Sequence, residues 1–219
     1  MSPPGRPKGE DRSAQHEGTP VRARWPHALA ALCLLLAGCA IPPAEPLRTN
    51  ALLDQVPTDV PHRTRSGRTL IVFPAEARAA LDTQQMAYTR APHELAYFAR
   101  NQWAETPPQM LGPLLVRTME ATGAFTAVVA PPHATEAAIG VRTEILDLVQ
   151  DFAPQPPVLR LSLRVRVEDS ATGRVLGTRE IAVQEPMREA TPAAGVQAAN
   201  TAMVQALREL AAFVLAQLP

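Results

Sequence analysis

The chain has 219 residues with 21 basic and 21 acidic side chains, so its formal net charge is zero at pH 7. This balance gives no electrostatic reason to expect a nucleic-acid partner. Hydrophobic residues make up 46% of the chain, enough for one domain with a buried core, and both cysteines, Cys33 and Cys39, lie near the N-terminus.

The first feature along the chain is a short apolar stretch, Ala28 to Ala37, that follows the basic residues Arg22 and Arg24. This pattern is typical of a secretory signal peptide. About ten apolar residues are too few for a membrane-spanning helix, which needs about 20. The stretch ends in four residues that resemble the bacterial lipobox, in which the cysteine carries a diacylglyceryl group: Leu36, Ala37, Gly38 and Cys39. The alternative is an ordinary cleavage site with an incidental cysteine.

Three regions follow from this interpretation. Residues 1–38 are predicted to be a lipoprotein signal peptide, whose length would be ordinary if translation started at Val21. Residues 39–68 contain the lipidated Cys39 and five prolines, so they are predicted to form an extended tether. Residues 69–219 are predicted to be one folded domain. Cleavage removes Cys33, so no disulfide is expected.

The first predicted elements of the domain are three strands and a helix. Thr69–Phe73 is a β-branched and aromatic run that ends at Pro74, which is typical of a strand. Two further strands are predicted at Gln84–Arg90 and Glu94–Arg100, divided by Ala91-Pro92. Pro107 and Pro108 then open an apolar pattern with helical spacing that stops at Gly123.

The C-terminal half is predicted to contain four more strands and a long helix. Within Val158–Val167, apolar residues alternate with polar ones, which indicates one buried and one wet face. Ala193–Gln217 has apolar residues three and four apart, which predicts a helix on the apolar face. The remaining strands are Phe125–Val129, Ile139–Leu148 and Val175–Val183, the last after a turn at Ala171–Arg174. The predicted fold is an α+β sandwich with a mostly antiparallel sheet packed against about two main helices.

Two groups of side chains are candidate interfaces. Arg160, Arg164 and Arg166 share the wet face of one strand and would suit anionic lipid headgroups or an acidic partner. The alternative is an ordinary solvated face balanced by Glu168 and Glu180.

The second group is aromatic, namely Tyr88, Tyr97, Phe98 and Trp103. Large aromatic side chains dominate burial energetics, so most of this group is expected in the core. The alternative is that part of it lines an interface.

No catalytic residue, metal ligand or cofactor is predicted. The histidines that follow Cys39, namely His62, His93 and His133, are isolated from one another, so none has a second histidine at metal-binding spacing. No serine lies in a Gly-x-Ser-x-Gly elbow. Glu144, Asp147 and Asp151 are interpreted as a solvated strand end. These observations favour a protein that binds or assembles over an enzyme.

The stretch from Leu81 to Leu111 carries a family resemblance. Its motifs are a leucine-aspartate pair at Asp82, an apolar-x-tyrosine strand at Tyr88, Tyr97 in the next strand and the pair Trp103-Ala104. Together they resemble the ABC-type transport auxiliary lipoproteins. These are the lipoprotein subunits of Pqi-type and related mammalian-cell-entry (MCE) lipid transport systems. The resemblance extends over residues 69 to 217, but the tyrosine-x-leucine strand common after the lipidated cysteine is absent here.

The resemblance implies a function and partners. Such lipoproteins work beside an ATPase, a permease and an MCE protein that forms a hydrophobic conduit, in some members as a ring. The expectation is a non-enzymatic subunit, without cofactor, that docks this conduit to the outer membrane. Ala40 after Cys39 matches the outer-membrane sorting pattern of enteric bacteria, with the inner membrane as the alternative. A different possibility is a solitary lipoprotein that binds lipid or peptidoglycan fragments, and a periplasmic hydrolase is the weakest.

Overall fold

The computed structural model describes residues 49–131 and 138–218. Within these ranges a nine-stranded mixed sheet packs against two helices, which confirms the predicted α+β class. The two longest strand pairings are antiparallel. The strands are β1 (Thr49–Ala51), β2 (Thr69–Val72), β3 (Glu76–Ala77), β4 (Gln85–Thr89), β5 (Ala96–Trp103), β6 (Ala127–Val129), β7 (Ala138–Asp151), β8 (Val158–Asp169) and β9 (Val175–Pro186), and the helices are α1 (Pro107–Ala121) and α2 (Pro192–Ala216).

Strand β7 is the centre of the sheet. One of its edges pairs with β8 from Ile139 to Asp151, and the other pairs in succession with the parallel strands β2, β3 and β4. Beyond these, β5 and β1 extend the sheet from β4, β6 extends it from β2, and β9 pairs with β8. The sequence of β7 is apolar at most positions because neighbours cover both its edges and much of both faces.

A β-bulge near Leu146 keeps the side chains of β7 in phase with α2. Before the bulge Ile145 lies opposite Leu163, and after it Leu148 lies opposite Leu161; all four are buried. Simple alternation would place Ile145 and Leu148 on opposite faces, and the extra residue of a bulge corrects this. The predicted strand, Ile139–Leu148, contains this bulge and ends three residues before the observed strand.

Helix α2 lies on the apolar face of β8 and β9, as predicted. It begins where the Thr191 hydroxyl accepts a hydrogen bond from the Ala194 amide at 3.2 Å. It lies close to the sheet at Gly195, where an added Cβ would lie 2.0 Å from Cδ of Gln150. The helix presents a buried face rich in alanine, which allows this close packing: Ala198, Ala199, Ala202, Ala206 and Ala211.

Helix α1 begins and ends near the residues that the sequence predicts. The Thr106 amide donates a hydrogen bond to the Gln109 side chain at 3.0 Å, and prolines occupy the first turn. Beyond the helix, Gly123 has a φ of 66°, a left-handed conformation that favours glycine. The apolar face of α1 is buried, including Leu111, Leu115 and Met119.

Residues 49–68, predicted as part of a tether, are packed on the folded domain. Strand β1 pairs in parallel with β5, and the Leu53 and Val60 side chains are 3% and 6% exposed. The prolines of this segment therefore reflect an extended chain packed on the domain. The predicted tether before Thr49, the lipobox and Cys39 lie outside the described residues.

Residues 52–66, which we call the strap, are held along α2, and Asn200 binds the first part of the strap. Asn200 Oδ1 accepts hydrogen bonds from the amides of Asp54 and Gln55 at 3.1 and 3.4 Å. The Asn200 amide group donates to the carbonyl oxygen of Leu52 at 3.0 Å. A buried side chain that satisfies three backbone groups fixes the path of the strap.

Two arginines hold the later part of the strap. Arg208 donates two hydrogen bonds to Oδ1 of Asp59, at 2.7 and 3.1 Å, and these lower the pKa of Asp59. Arg63 donates to the carbonyl oxygens of Leu215 and Leu218 at 2.7 and 3.1 Å. These carbonyls lie at the C-terminal end of α2, where a cation is favoured.

We expect Trp103→Ala to lower the free energy of unfolding by about 3–5 kcal/mol, because the Trp103 side chain is 3% exposed and lies in the core. Urea unfolding followed by circular dichroism would measure the loss. Leu95→Ala is the control, since Leu95 is 40% exposed and its truncation should change stability by no more than about 0.5 kcal/mol. Equal effects of the two substitutions would contradict the burial of Trp103.

Candidate functional site

The structure places the three candidate interface arginines on the face of the sheet that points away from α2. Register with β7 adds Arg142, which lies opposite Arg166, and we call these four residues the arginine face. Their exposure follows from alternation, because the residues between them on β8, such as Leu161, Leu163 and Val165, are buried under α2. Sequence reasoning missed Arg142, since only strand register brings it beside the others.

Each cation of the arginine face has a carboxylate partner. Arg160 donates to Asp147 at 3.1 Å and to Asp151 at 2.6 Å. Both acids lie on β7, so the predicted acidic strand end is a set of ion-pair partners.

The other pairs have the same character. Glu144 accepts a hydrogen bond from Arg164 at 2.9 Å, and Glu168 lies 3.0 Å from Arg142 and 3.5 Å from Arg166. Glu168 therefore balances two of these arginines, as expected for an ordinary solvated face. Glu180, the other expected balancing residue, accepts a hydrogen bond from Ser162 at 3.1 Å. The arginine face therefore carries alternating positive and negative side chains in ion pairs, and is not a positive patch.

Three open clefts meet at Pro74, beside the arginine face. The first, of about 270 Å³, is lined by Arg142, Glu144, Arg164 and Arg166. The second, of about 530 Å³, lies between β3 and the first half of α1 and includes Asp82. The third, of about 450 Å³, is apolar and is lined by Phe73, Pro113 and Val116 among others. Charged, polar and apolar surfaces therefore adjoin one another here.

Phe73 marks the border between the charged and the apolar cleft. The Arg142 guanidinium lies 3.7 Å from the centroid of the Phe73 ring, a cation–π contact. Space for the ring depends on Gly140, where an added Cβ would lie 2.9 Å from Phe73 Cε2 and 3.0 Å from Cγ of Glu168. The absence of a side chain at residue 140 allows this arrangement.

The family-motif residues lie at separate places. Trp103 is buried, and its amide donates to the Gln84 carbonyl at 2.7 Å. The Tyr97 hydroxyl donates to the Ala80 carbonyl at 2.9 Å. Asp82 is exposed at the second cleft. Trp103 and Tyr97 therefore have structural roles, and Asp82 is available at the surface.

Tyr88 belongs to a different cluster from Tyr97. Its ring centroid lies 4.5 Å from that of Phe98 and 6.0 Å from that of Phe152. Tyr97 pairs with Ala87, the neighbour of Tyr88, so the two tyrosines point to opposite faces of the sheet. Sequence reasoning missed Phe152, because it joins the cluster only through the pairing of β4 with β7.

The titratable groups of the described residues show no catalytic arrangement. No group of three or more His, Cys, Asp or Glu side chains within 49–131 and 138–218 is placed to hold a metal ion. Hydrogen bonds from the backbone and side chain of Thr172, with a further one from Arg68, lower the pKa of Asp169 in the β8–β9 turn. His62 and His93 are exposed, and His133 lies outside the described residues.

Solved structures share this fold, including two with TM-scores above 0.6. A crystal structure of a protein from Xanthomonas campestris matches with a TM-score of 0.67 and 22% identity, covering 78% of this chain and 96% of that chain. The crystal structure of an uncharacterized protein matches with a TM-score of 0.63 and 12% identity, covering 77% and 99%. No curated protein matches the chain.

A family model identifies the chain more specifically. The model of the ABC-type transport auxiliary lipoprotein component matches residues 51–211, which include β1 residue Ala51, the strap and most of α2. No helix in the described part of the chain is long and apolar enough to cross a bilayer. From its match over most of its length, the chain belongs to the family of ABC-type transport auxiliary lipoprotein components.

Proposed function

We propose that this chain is a non-enzymatic subunit of an ABC-type lipid transport system of the MCE class, held on the periplasmic face of the outer membrane by lipid on Cys39. The observation that carries the proposal is the family match over residues 51–211. The partners proposed are an MCE conduit protein, an ABC permease and its ATPase. The subunit docks the conduit to the membrane and performs no chemistry.

The interior of the domain supports a scaffold role. Side chains from the sheet, both helices and the strap form one continuous hydrophobic core. The charged groups beside the clefts are engaged in ion pairs. A domain of this kind acts through its surface, because its fold uses the interior for packing.

The arginine face is the proposed docking surface for the conduit. Arg164 and Arg166 are 50% and 48% exposed, so their ion pairs contribute only about 0–1 kcal/mol each. Such pairs can be exchanged for pairs with a partner at little cost. The neighbouring apolar cleft at Phe73 adds surface whose burial would stabilise the complex.

A homo-oligomeric ring is part of the proposal. Among the described strands, the 12-residue β9 pairs only with β8, so its outer edge offers backbone donors and acceptors to another strand. A ring of subunits would surround a conduit symmetrically.

The second candidate is a solitary lipoprotein that binds lipid or a peptidoglycan fragment. The apolar cleft of about 450 Å³ favours it, because ligand pockets commonly measure about 300–1,000 Å³. Its open shape and exposed Pro113 and Arg117 suit a partner surface better than a bound small molecule. A transporter subunit should copurify with other transporter proteins, whereas a solitary binder should copurify with its small ligand.

Affinity purification of the tagged protein from its native membranes in mild detergent tests this difference. We expect mass spectrometry to identify an MCE protein and an ABC permease in the eluate. The double substitution Arg164→Ser/Arg166→Ser should reduce their recovery at least tenfold, whereas Arg188→Ser, an exposed arginine outside the arginine face, should leave it unchanged. Recovery of lipid without any transporter subunit would contradict the proposal and favour the solitary binder.

We expect Cys39→Ser to release the protein from membranes without unfolding it, since the lipid would be attached ten residues before β1. Alkaline washing of membranes followed by immunoblotting would measure the release, and circular dichroism of the soluble fraction would confirm the fold. A variant that still sediments with washed membranes would contradict lipid anchoring at Cys39.

A further inference from the structure

Strand directions show which end of the sheet the chain comes from as it reaches β1. Thr49 pairs with Asn101, and β1 is parallel to β5, so the chain arrives from the side of Ala96, where β5 begins. Thr89 and Asp151, the last residues of β4 and β7, lie at this same end. The N-terminal residue of β1, where the preceding chain joins the domain, therefore lies on the side of β1 toward this end.

The length of the intervening chain limits how far this end can lie from an anchor. Ten peptide links join Cys39 to Thr49, and an extended chain spans at most about 3.3–3.6 Å per residue, or about 35 Å in all. Strand β8, with 12 residues, is about 40 Å long. Because the strap fixes β1 on the domain through Asn200, a lipid anchor at Cys39 would lie within about 35 Å of Thr49.

This end carries the aromatic cluster that the docking surface does not use. The rings of Tyr88, Phe98 and Phe152 lie within 6.2 Å of one another between centroids, and all three are half-buried. In the β4–β5 turn beside them, Leu95 is 40% exposed, one of three large hydrophobic side chains exposed in the described residues. The exposed Arg90 has its guanidinium 5.5 Å from the Tyr88 ring centroid. We call these five residues the aromatic end.

We infer that the aromatic end is a second membrane contact, lying against phospholipid headgroups; this inference rests on the lipid anchor of the proposed function. Half-buried aromatic rings suit the boundary between headgroups and acyl chains, and an arginine there can bind lipid phosphate. Such a contact is weak alone, but an anchor within about 35 Å gives it a high effective concentration.

The inference also orients the domain. The opposite end of the sheet, with the β8–β9 turn and the half-exposed Val175, then faces the periplasm. The arginine face runs along the side of the sheet between the two ends. A partner rising from the inner membrane would meet the periplasmic end and this side.

Fluorescent probes at the two ends of the sheet test the inference. The lipid-modified protein would carry an environment-sensitive fluorophore on Leu95→Cys or, as the matched control, on Val175→Cys, which is 50% exposed. Labelling is specific because the only other cysteines are the lipidated Cys39 and Cys33, which leaves with the signal peptide. A second probe at the exposed Glu94→Cys covers the case in which the Leu95 variant misfolds.

The protein would be placed on vesicles of phosphatidylethanolamine and phosphatidylglycerol that contain lipid brominated near the headgroup. We expect a blue shift and loss of fluorescence for probes at residues 94 and 95, and neither change at residue 175. Equal signals at the two ends, on protein that floats with the vesicles, would overturn the inference and leave the anchor intact. Protein that does not float with the vesicles would overturn both the membrane contact of the aromatic end and the lipid anchor of the proposed function. Probes at 94 and 95 that are shielded from aqueous iodide but insensitive to brominated lipid would indicate a contact between protein copies and overturn the inference.

Discussion

The pairing of β7 along both of its edges is the constraint on which the rest of the structure depends. One antiparallel partner, β8, runs beside it from Ile139 to Asp151, while three short parallel strands share the other edge. The bulge near Leu146 lets both halves of β7 present apolar side chains to α2. The alanine-rich helix covers this face over β8 and β9, and the polar side chains of β8 lie on the other face as paired charges.

Function follows from what this arrangement leaves at the surface. The ion pairs of the arginine face, the clefts at Pro74 and the aromatic end occupy different parts of one domain. The strap is held against α2 at a fixed place, through Asn200 and two arginines. A lipoprotein that docks a conduit needs this kind of fixed geometry, because a freely rotating domain would not present one face consistently.

Sequence patterns predicted the elements whose signals are local. Alternation revealed β8, and prolines followed by a glycine marked the limits of α1. Strands β1 and β3, with three and two residues, are too short to produce a pattern. The strap was predicted to be a tether from its composition alone. Its contact with Asn200 joins residues almost 150 positions apart, so no local pattern could reveal it. The partners of Arg160 and the place of Phe152 depend on register and on the bulge, which no local pattern contains.

The fixed path of β1 and the strap on the domain is tested most directly by hydrogen exchange of residues 49–60. The amides of Asp54 and Gln55 bond to Asn200, and β1 pairs with β5. We therefore expect peptides covering residues 49–55 to exchange as slowly as those of β5, and to lose this protection in Asn200→Ala. Exchange of residues 49–55 at the rate of an unstructured chain would show that the segment is a free tether, and would contradict the fixed orientation.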